Sequence, residues 1–256
     1  MGDETDDEMV MQNGLKLKCI PKALRTEGVC LAAVMQNGLA LKYVPKALRS
    51  EALCLDAARR NGRALKYVPK SIKTEAFCVA AVGESIYLDI VPRIIHIKAG
   101  VRCVNLDVVE YKGIELKDVP KALRTEAVCL AALKEKGMAL ENVPKKLRTE
   151  TVCLAAVRQN GMALQYVPKA LRTEAVCFAA VQQDGVALVY VPEMLRTETL
   201  CLEAVVKTKG WALLLIPEAL RTAAFYLAAV RQNEKALEYV PEELREEVRR
   251  RINNGE

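Results

Sequence analysis

The chain has 256 residues, 52% of them hydrophobic and 27% charged, with ten prolines, nine cysteines, one histidine and one tryptophan. That composition is globular, rich enough in apolar side chains to bury a core and too poor in aromatics for a typical sandwich or barrel. One histidine leaves little room for a His-dependent enzyme, no apolar run reaches the roughly 18 to 20 residues that span a membrane, and the formal charge of +6 is spread unevenly, with a basic middle between two acidic ends.

Asp3, Glu4, Asp6, Asp7 and Glu8 open the chain, the opposite of the basic and then apolar start of a secretory leader. The expectation is a cytoplasmic chain. An odd number of cysteines does not close into a disulfide framework, so the thiols are read as reduced. Val10 to Gly14 repeats the sequence of Val34 to Gly38, so residues 1–14 read as an acidic, truncated N-terminal cap.

Residues 15–240 are tandem repeats. The prolines fall at 21, 45, 69, 92, 120, 144, 168, 192, 217 and 241, with spacings of 24, 24, 23, 28, 24, 24, 24, 25 and 24. Four residues before each stands Leu, immediately before it Val or Ile, and three after it Leu or Ile. These are core positions in ten copies of one unit.

Within a unit, Thr or Ser five after the proline suits a helix N-cap, because its hydroxyl accepts from an orphaned backbone N–H. The Glu that follows places negative charge at the positive end of the helix dipole. The apolar run then predicts a helix over about Thr26 to Asn37, buried on several sides. It ends at Asn-Gly, where Gly38, Gly62, Gly137, Gly161 or Gly185 is expected in the left-handed C′ conformation. A shorter helical segment follows over Leu39 to Val44, with Leu41 and Val44 on one face. The proline either breaks the chain there, standing at N1 of one further turn, or kinks a continuous helix.

Between Pro69 and Pro120 the unit near 83–113 is irregular: it lacks Asn-Gly, and His96-Ile97-Lys98-Ala99-Gly100 replaces Arg-Thr-Glu-Ala-Val. A longer helix and a change of curvature are expected there. Residues 241–256 lose the apolar consensus and read as a polar C-terminal cap helix. The fold class is therefore all-α, an α-solenoid of about ten short 24-residue repeats forming an elongated superhelix, on the order of 80 Å long at 8–10 Å per packed helix.

The phrase Val-Pro-Lys-Ala-Leu-Arg-Thr-Glu-Ala-Val-Cys-Leu-Ala-Ala-Val-x-Gln-Asn-Gly, clearest at Val44 to Leu55, Val119 to Ala132, Val143 to Gly161 and Val167 to Ala180, resembles a tandem helical-repeat family. That family is classed as a domain of unknown function and occurs in multi-copy arrays in bacterial and protist proteins. The resemblance covers essentially the whole chain. It implies an interaction scaffold, with no activity, cofactor or active-site residues to carry over.

Four recurring residue types are candidates for function. Cys30, Cys54, Cys78, Cys103, Cys129, Cys153, Cys177 and Cys201 share one position and are read as small buried apolar residues, with no Cys/His zinc pattern. Arg or Lys stands four after nearly every proline, with His96 the exception. Those side chains either track phosphates or an acidic partner, or bond helix-end carbonyls or a neighbouring unit's Glu. One residue after the proline the chain reads Lys22, Lys46, Lys70, Arg93, Lys121, Lys145, Lys169, then Glu193, Glu218, Glu242, a stripe whose sign changes. The lysine and arginine part is the candidate partner-binding surface, against the plainer reading of a solvated face. Tyr43, Tyr67, Tyr166, Tyr190 and Tyr239 either stack bases or pack at helix seams.

No phosphate loop, nucleophile elbow or HExxH motif stands in the chain, and no metal or cofactor is expected. The expectation is a monomeric, non-enzymatic scaffold that binds protein, in particular an acidic segment, without membrane contact. A nucleic-acid-binding solenoid using the same stripe is the alternative.

Overall fold

The computed structural model describes residues 6–82 and 114–254. The irregular unit, with Arg93, His96 and Cys103, lies outside them. The described residues are all-α, without a strand, and divide into two compact units, Met1–Leu123 and Arg124–Glu256.

Unit 1 holds α1 (Asp6–Gln12), α2 (Glu27–Gln36), α3 (Glu51–Arg60) and α4 (Glu75–Val82). Unit 2 holds α5 (Glu126–Glu135), α6 (Glu150–Gln159), α7 (Glu174–Gln183), α8 (Glu198–Lys207), α9 (Ala223–Gln232) and α10 (Glu242–Asn253). In each unit consecutive α-helices pack side by side. Each repeat also carries a 3₁₀ segment, such as Gly38–Tyr43, and these too stack on one another. Helix α7, for example, lies against both its own segment, Gly185–Tyr190, and the preceding one, Gly161–Tyr166. This is the nearest-neighbour packing of a repeat solenoid, in which no repeat covers its own apolar face.

The local geometry follows from the repeat sequence. The Val29 N–H donates to Thr26 Oγ1 at 3.3 Å, and the same N-cap bond recurs at Ser50, Thr74, Thr125, Thr149, Thr173, Thr197 and Thr222. The helix core is Val29, Cys30, Ala33 and Val34 in α2 and its equivalents elsewhere. Leu164 and Val167, in the following segment, are also buried. Full burial of such a leucine contributes about 1.5 to 3 kcal/mol.

Two expectations about the breaks need correcting. Asn37 ends α2 in extended backbone (φ −151°, ψ 111°), and its Oδ1 accepts from Leu39 N–H at 3.0 Å. It is therefore the N-cap of the 3₁₀ segment, and Gly38 is that segment's first residue rather than a left-handed C′. Among the described residues positive φ occurs at Lys209 (55°) and Gly210 (100°), where a Thr208–Gly210 turn takes up the extra residue of the 25-residue spacing. The recurring glycines serve close approach instead. A Cβ on Gly161 would collide with the Ala180 carbonyl oxygen of the next helix, and one on Gly185 would lie 2.7 Å from that of Ala204.

At the prolines the chain breaks. Val44 and Pro45 are both extended (ψ 131° and 141°) and a 3₁₀ turn, Lys46–Leu48, begins one residue later. Pro45 thus occupies the N-cap of that turn and not N1, because its ψ is far from helical.

The glutamine that ends the helix, before Asn-Gly or Asp-Gly, is an inter-repeat tie. Gln36 Oε1 accepts from Gly14 N–H at 2.7 Å while its Nε2 donates to Gln12 O at 3.5 Å. Gln183 repeats both bonds on Gly161 and Gln159.

In unit 1 the 3₁₀ segment Gly62–Tyr67 packs against Leu116–Asp118, and Gly62 meets these residues in place of the helix carbonyl that the other recurring glycines face. A Cβ on Gly62 would meet Asp118 Oδ2 at 2.5 Å and Ile114 Cα at 3.1 Å.

Candidate functional site

The arginine four after the proline is a clamp. Arg172 Nε donates to Val167 O (3.1 Å), Nη1 to Tyr190 O of the next repeat (2.7 Å) and Nη2 to Gln165 O (3.3 Å). Arg25, Arg49, Arg148 and Arg196 make the same three-carbonyl pattern. Arg124 reaches Asn142 O of the next repeat at 3.1 Å. A planar guanidinium with donors fixed in a fork fits three convergent carbonyls, which a single ammonium does not. Of the two readings of this column, helix-end carbonyls are the observed partners, and the bonds that cross the repeat boundary make it structural.

The cysteine column is buried at Cys30, Cys54, Cys78, Cys129, Cys153, Cys177 and Cys201. Burial pushes the Cys153 and Cys177 thiols up to about 11, against a smaller lowering by Arg148 and Arg172. A thiol so raised is a poor nucleophile at neutral pH. Cys19, at the tyrosine position, is exposed. Among the described residues no three His, Cys, Asp or Glu converge as a metal site, and no helix is long and apolar enough to cross a membrane. The concavity lined by Arg158, Phe178 and Gln182 is open to solvent.

The residues one after the proline are exposed. Unit 1 carries Lys22, Lys46, Lys70 and Lys121; unit 2 carries Lys145, Lys169, Glu193, Glu218 and Glu242. Arg93 lies outside the described residues. Lys22, Lys46, Lys121, Lys145 and Lys169 each open a three-residue 3₁₀ turn.

A second lysine column went unnoticed in the sequence. Three residues before the proline, unit 1 carries exposed Lys18, Lys42, Lys66 and Lys117 on the 3₁₀ segments. Lys42 Nζ lies 5.3 Å from the Tyr43 ring centre and Lys66 Nζ 4.8 Å from that of Tyr67, within cation–π range. Lys117 pairs with Glu115, which raises its pKa. The signal was present as a column of like residues, but it is confined to unit 1. Tyr43, Tyr67, Tyr166, Tyr190 and Tyr239 are half-buried in the seams.

The family described as a domain of unknown function, DUF4116, matches residues 126–172 and again 149–196, two overlapping tandem matches in unit 2. No curated protein and no solved structure matches the chain.

Proposed function

We propose that the chain is a non-enzymatic scaffold whose unit 1 binds an acidic segment of another protein. The observation that carries this reading is a division of labour among its cations. The recurring arginines are committed to carbonyls between repeats, whereas Lys22, Lys46, Lys70 and Lys121 recur at one exposed position of the repeat. Lys18, Lys42 and Lys66 add charge four residues earlier in the same repeats. Lys145 and Lys169 form a shorter basic run in unit 2. The reading includes a monomer and a cytoplasmic location, with which the free thiols are consistent.

The nucleic-acid alternative rests on the same exposed lysines, and the arginine and tyrosine columns add little to it. Guanidiniums engaged with carbonyls are not offered to phosphates, and half-buried tyrosines are poor stacking platforms.

The test is binding of fluorescein-labelled poly-Glu peptide, and separately of single- and double-stranded RNA and DNA, to the wild type and to a Lys22/Lys46/Lys70/Lys121→Glu variant. Micromolar peptide binding, weakened at least tenfold in the variant with its melting temperature kept, is the expected result. Unchanged peptide binding in the variant sinks the proposal. Tighter binding to nucleic acid than to peptide, falling steeply with salt, would replace it with the alternative.

A further inference from the structure

In a 3₁₀ helix residues three apart lie over one another, so each 3₁₀ segment of a repeat presents a pair of outer positions, six and three before the proline. In unit 1 those pairs are Leu15 with Lys18, Leu39 with Lys42, and Arg63 with Lys66. No segment of unit 2 carries that lysine, and in two consecutive repeats both outer positions are apolar. Segment Gly185–Tyr190 carries Val186 and Val189, and segment Trp211–Leu215 carries Trp211 and Leu214. The two segments pack against each other, so the pairs are neighbours. Val189 is 43%, Trp211 37% and Leu214 58% exposed. Met194, two after the proline between them, is 88% exposed.

Side chains of this size are costly to leave in water when they adjoin one another, and Trp and Met are types enriched at the centres of protein interfaces. The charge changes in the same two repeats. Glu193 and Glu218 stand where earlier repeats carry Lys, and exposed Glu238 holds the outer position of the following segment. Lys235 shares that last segment and Lys209 the turn before Trp211, so the rim is mixed, with acids at the positions that follow the repeat. The surface thus pairs apolar anchors with carboxylates in register.

We propose that Val189, Met194, Trp211 and Leu214 form a docking surface for a basic amphipathic segment of a partner protein, its apolar side chains seated on these residues and its Lys or Arg facing Glu193 and Glu218. It uses none of the lysines of unit 1 and selects the opposite charge.

Trp211 is the chain's one tryptophan and reports directly on the site. The full chain is titrated with a synthetic Leu/Lys amphipathic peptide free of aromatics, following Trp211 emission. A saturable blue shift with a micromolar Kd is expected. Leu214→Glu and Met194→Glu, both at exposed positions, should each raise the Kd at least tenfold with helix content unchanged, as should Glu193→Lys with Glu218→Lys. A Leu/Glu peptide should produce no shift. An absent shift, an unchanged Kd in the variants, or equal binding of the Leu/Glu peptide overturns the proposal. A blue shift that grows with protein concentration in the absence of peptide, with a doubled mass by sedimentation, overturns it in favour of a second copy as occupant. Failure here leaves the poly-Glu result untouched, because Trp211 is in unit 2 and the tested lysines are in unit 1.

Discussion

Position four past the proline uses arginine because three carbonyls converge there, two from its own repeat and one from the next. At Arg172 the distances of 3.1, 2.7 and 3.3 Å engage all three nitrogens of the guanidinium, a spread that a single ammonium does not span. Hydrogen bonds from a charged donor contribute about 1.5 to 3 kcal/mol, and Lys reproduces at most part of the fork. Arg172→Lys should therefore destabilise the protein by about 2 kcal/mol in urea denaturation, whereas exposed Lys169→Ala should change stability by less than about 0.5 kcal/mol. Equal effects would refute the clamp. The arginine's role was half legible in the sequence. Its constancy beside Thr-Glu pointed to structure, but the sequence left carbonyl and carboxylate open as partners, since nothing in it places Tyr190 O.

At the scale of an element, the 3₁₀ segment is the part least visible beforehand. Its leucine spacing showed a helical face, and the break at proline was one of two open readings. The glycine that starts it was given the wrong reason, because Asn-Gly after a helix ordinarily signals a left-handed cap, and only packing reveals the carbonyl facing it. That difference is measurable. Gly161→Ala should destabilise by about 1 to 3 kcal/mol through overpacking against Ala180 O. Gly28→Ala in α2, where a Cβ meets nothing within 4 Å, should instead stabilise by about 0.5 to 1 kcal/mol. Denaturation midpoints of the two variants moving in the same direction would contradict the close-approach account. The glutamine tie was illegible for a different reason: a long polar side chain at an exposed helix end looks like solvent-facing filler until its neighbour is in place.

For the molecule as a whole, the proline count predicts ten units, and in unit 1 the segment Gly62–Tyr67 packs against Leu116–Asp118, which leads to Pro120. Counting markers along a chain gives the number of repeats and not which residues touch, since stacking is a relation between distant residues. The consequence is testable. Replacing residues 83–113 with Arg-Gln-Asn-Gly, the link between Val157 and Met162, restores an ordinary repeat between Val82 and Ile114. The melting temperature should stay within about 4 °C of the wild type, equivalent to roughly 1 kcal/mol, and poly-Glu binding should persist. Loss of the cooperative transition would show that 83–113 is needed for the stack. The candidate surfaces were legible only where one residue type recurs over many repeats, as with the lysines, and Arg93, after the first seven prolines; Lys18 to Lys117 and the Val189–Leu214 face are local departures, visible once the 3₁₀ pairing defines which positions point outward.

The arginine clamp has a further implication. What it grips in the next repeat is a carbonyl, an atom every amino acid supplies. Tyr190, Asn142 and Leu215 present that carbonyl equally well. A joint written in backbone atoms places no demand on the identity of the neighbour it holds, so repeats become interchangeable parts. Their outer pairs can be rewritten, from lysine to valine or tryptophan, without the joint being redesigned, and a new binding face can arise one repeat at a time.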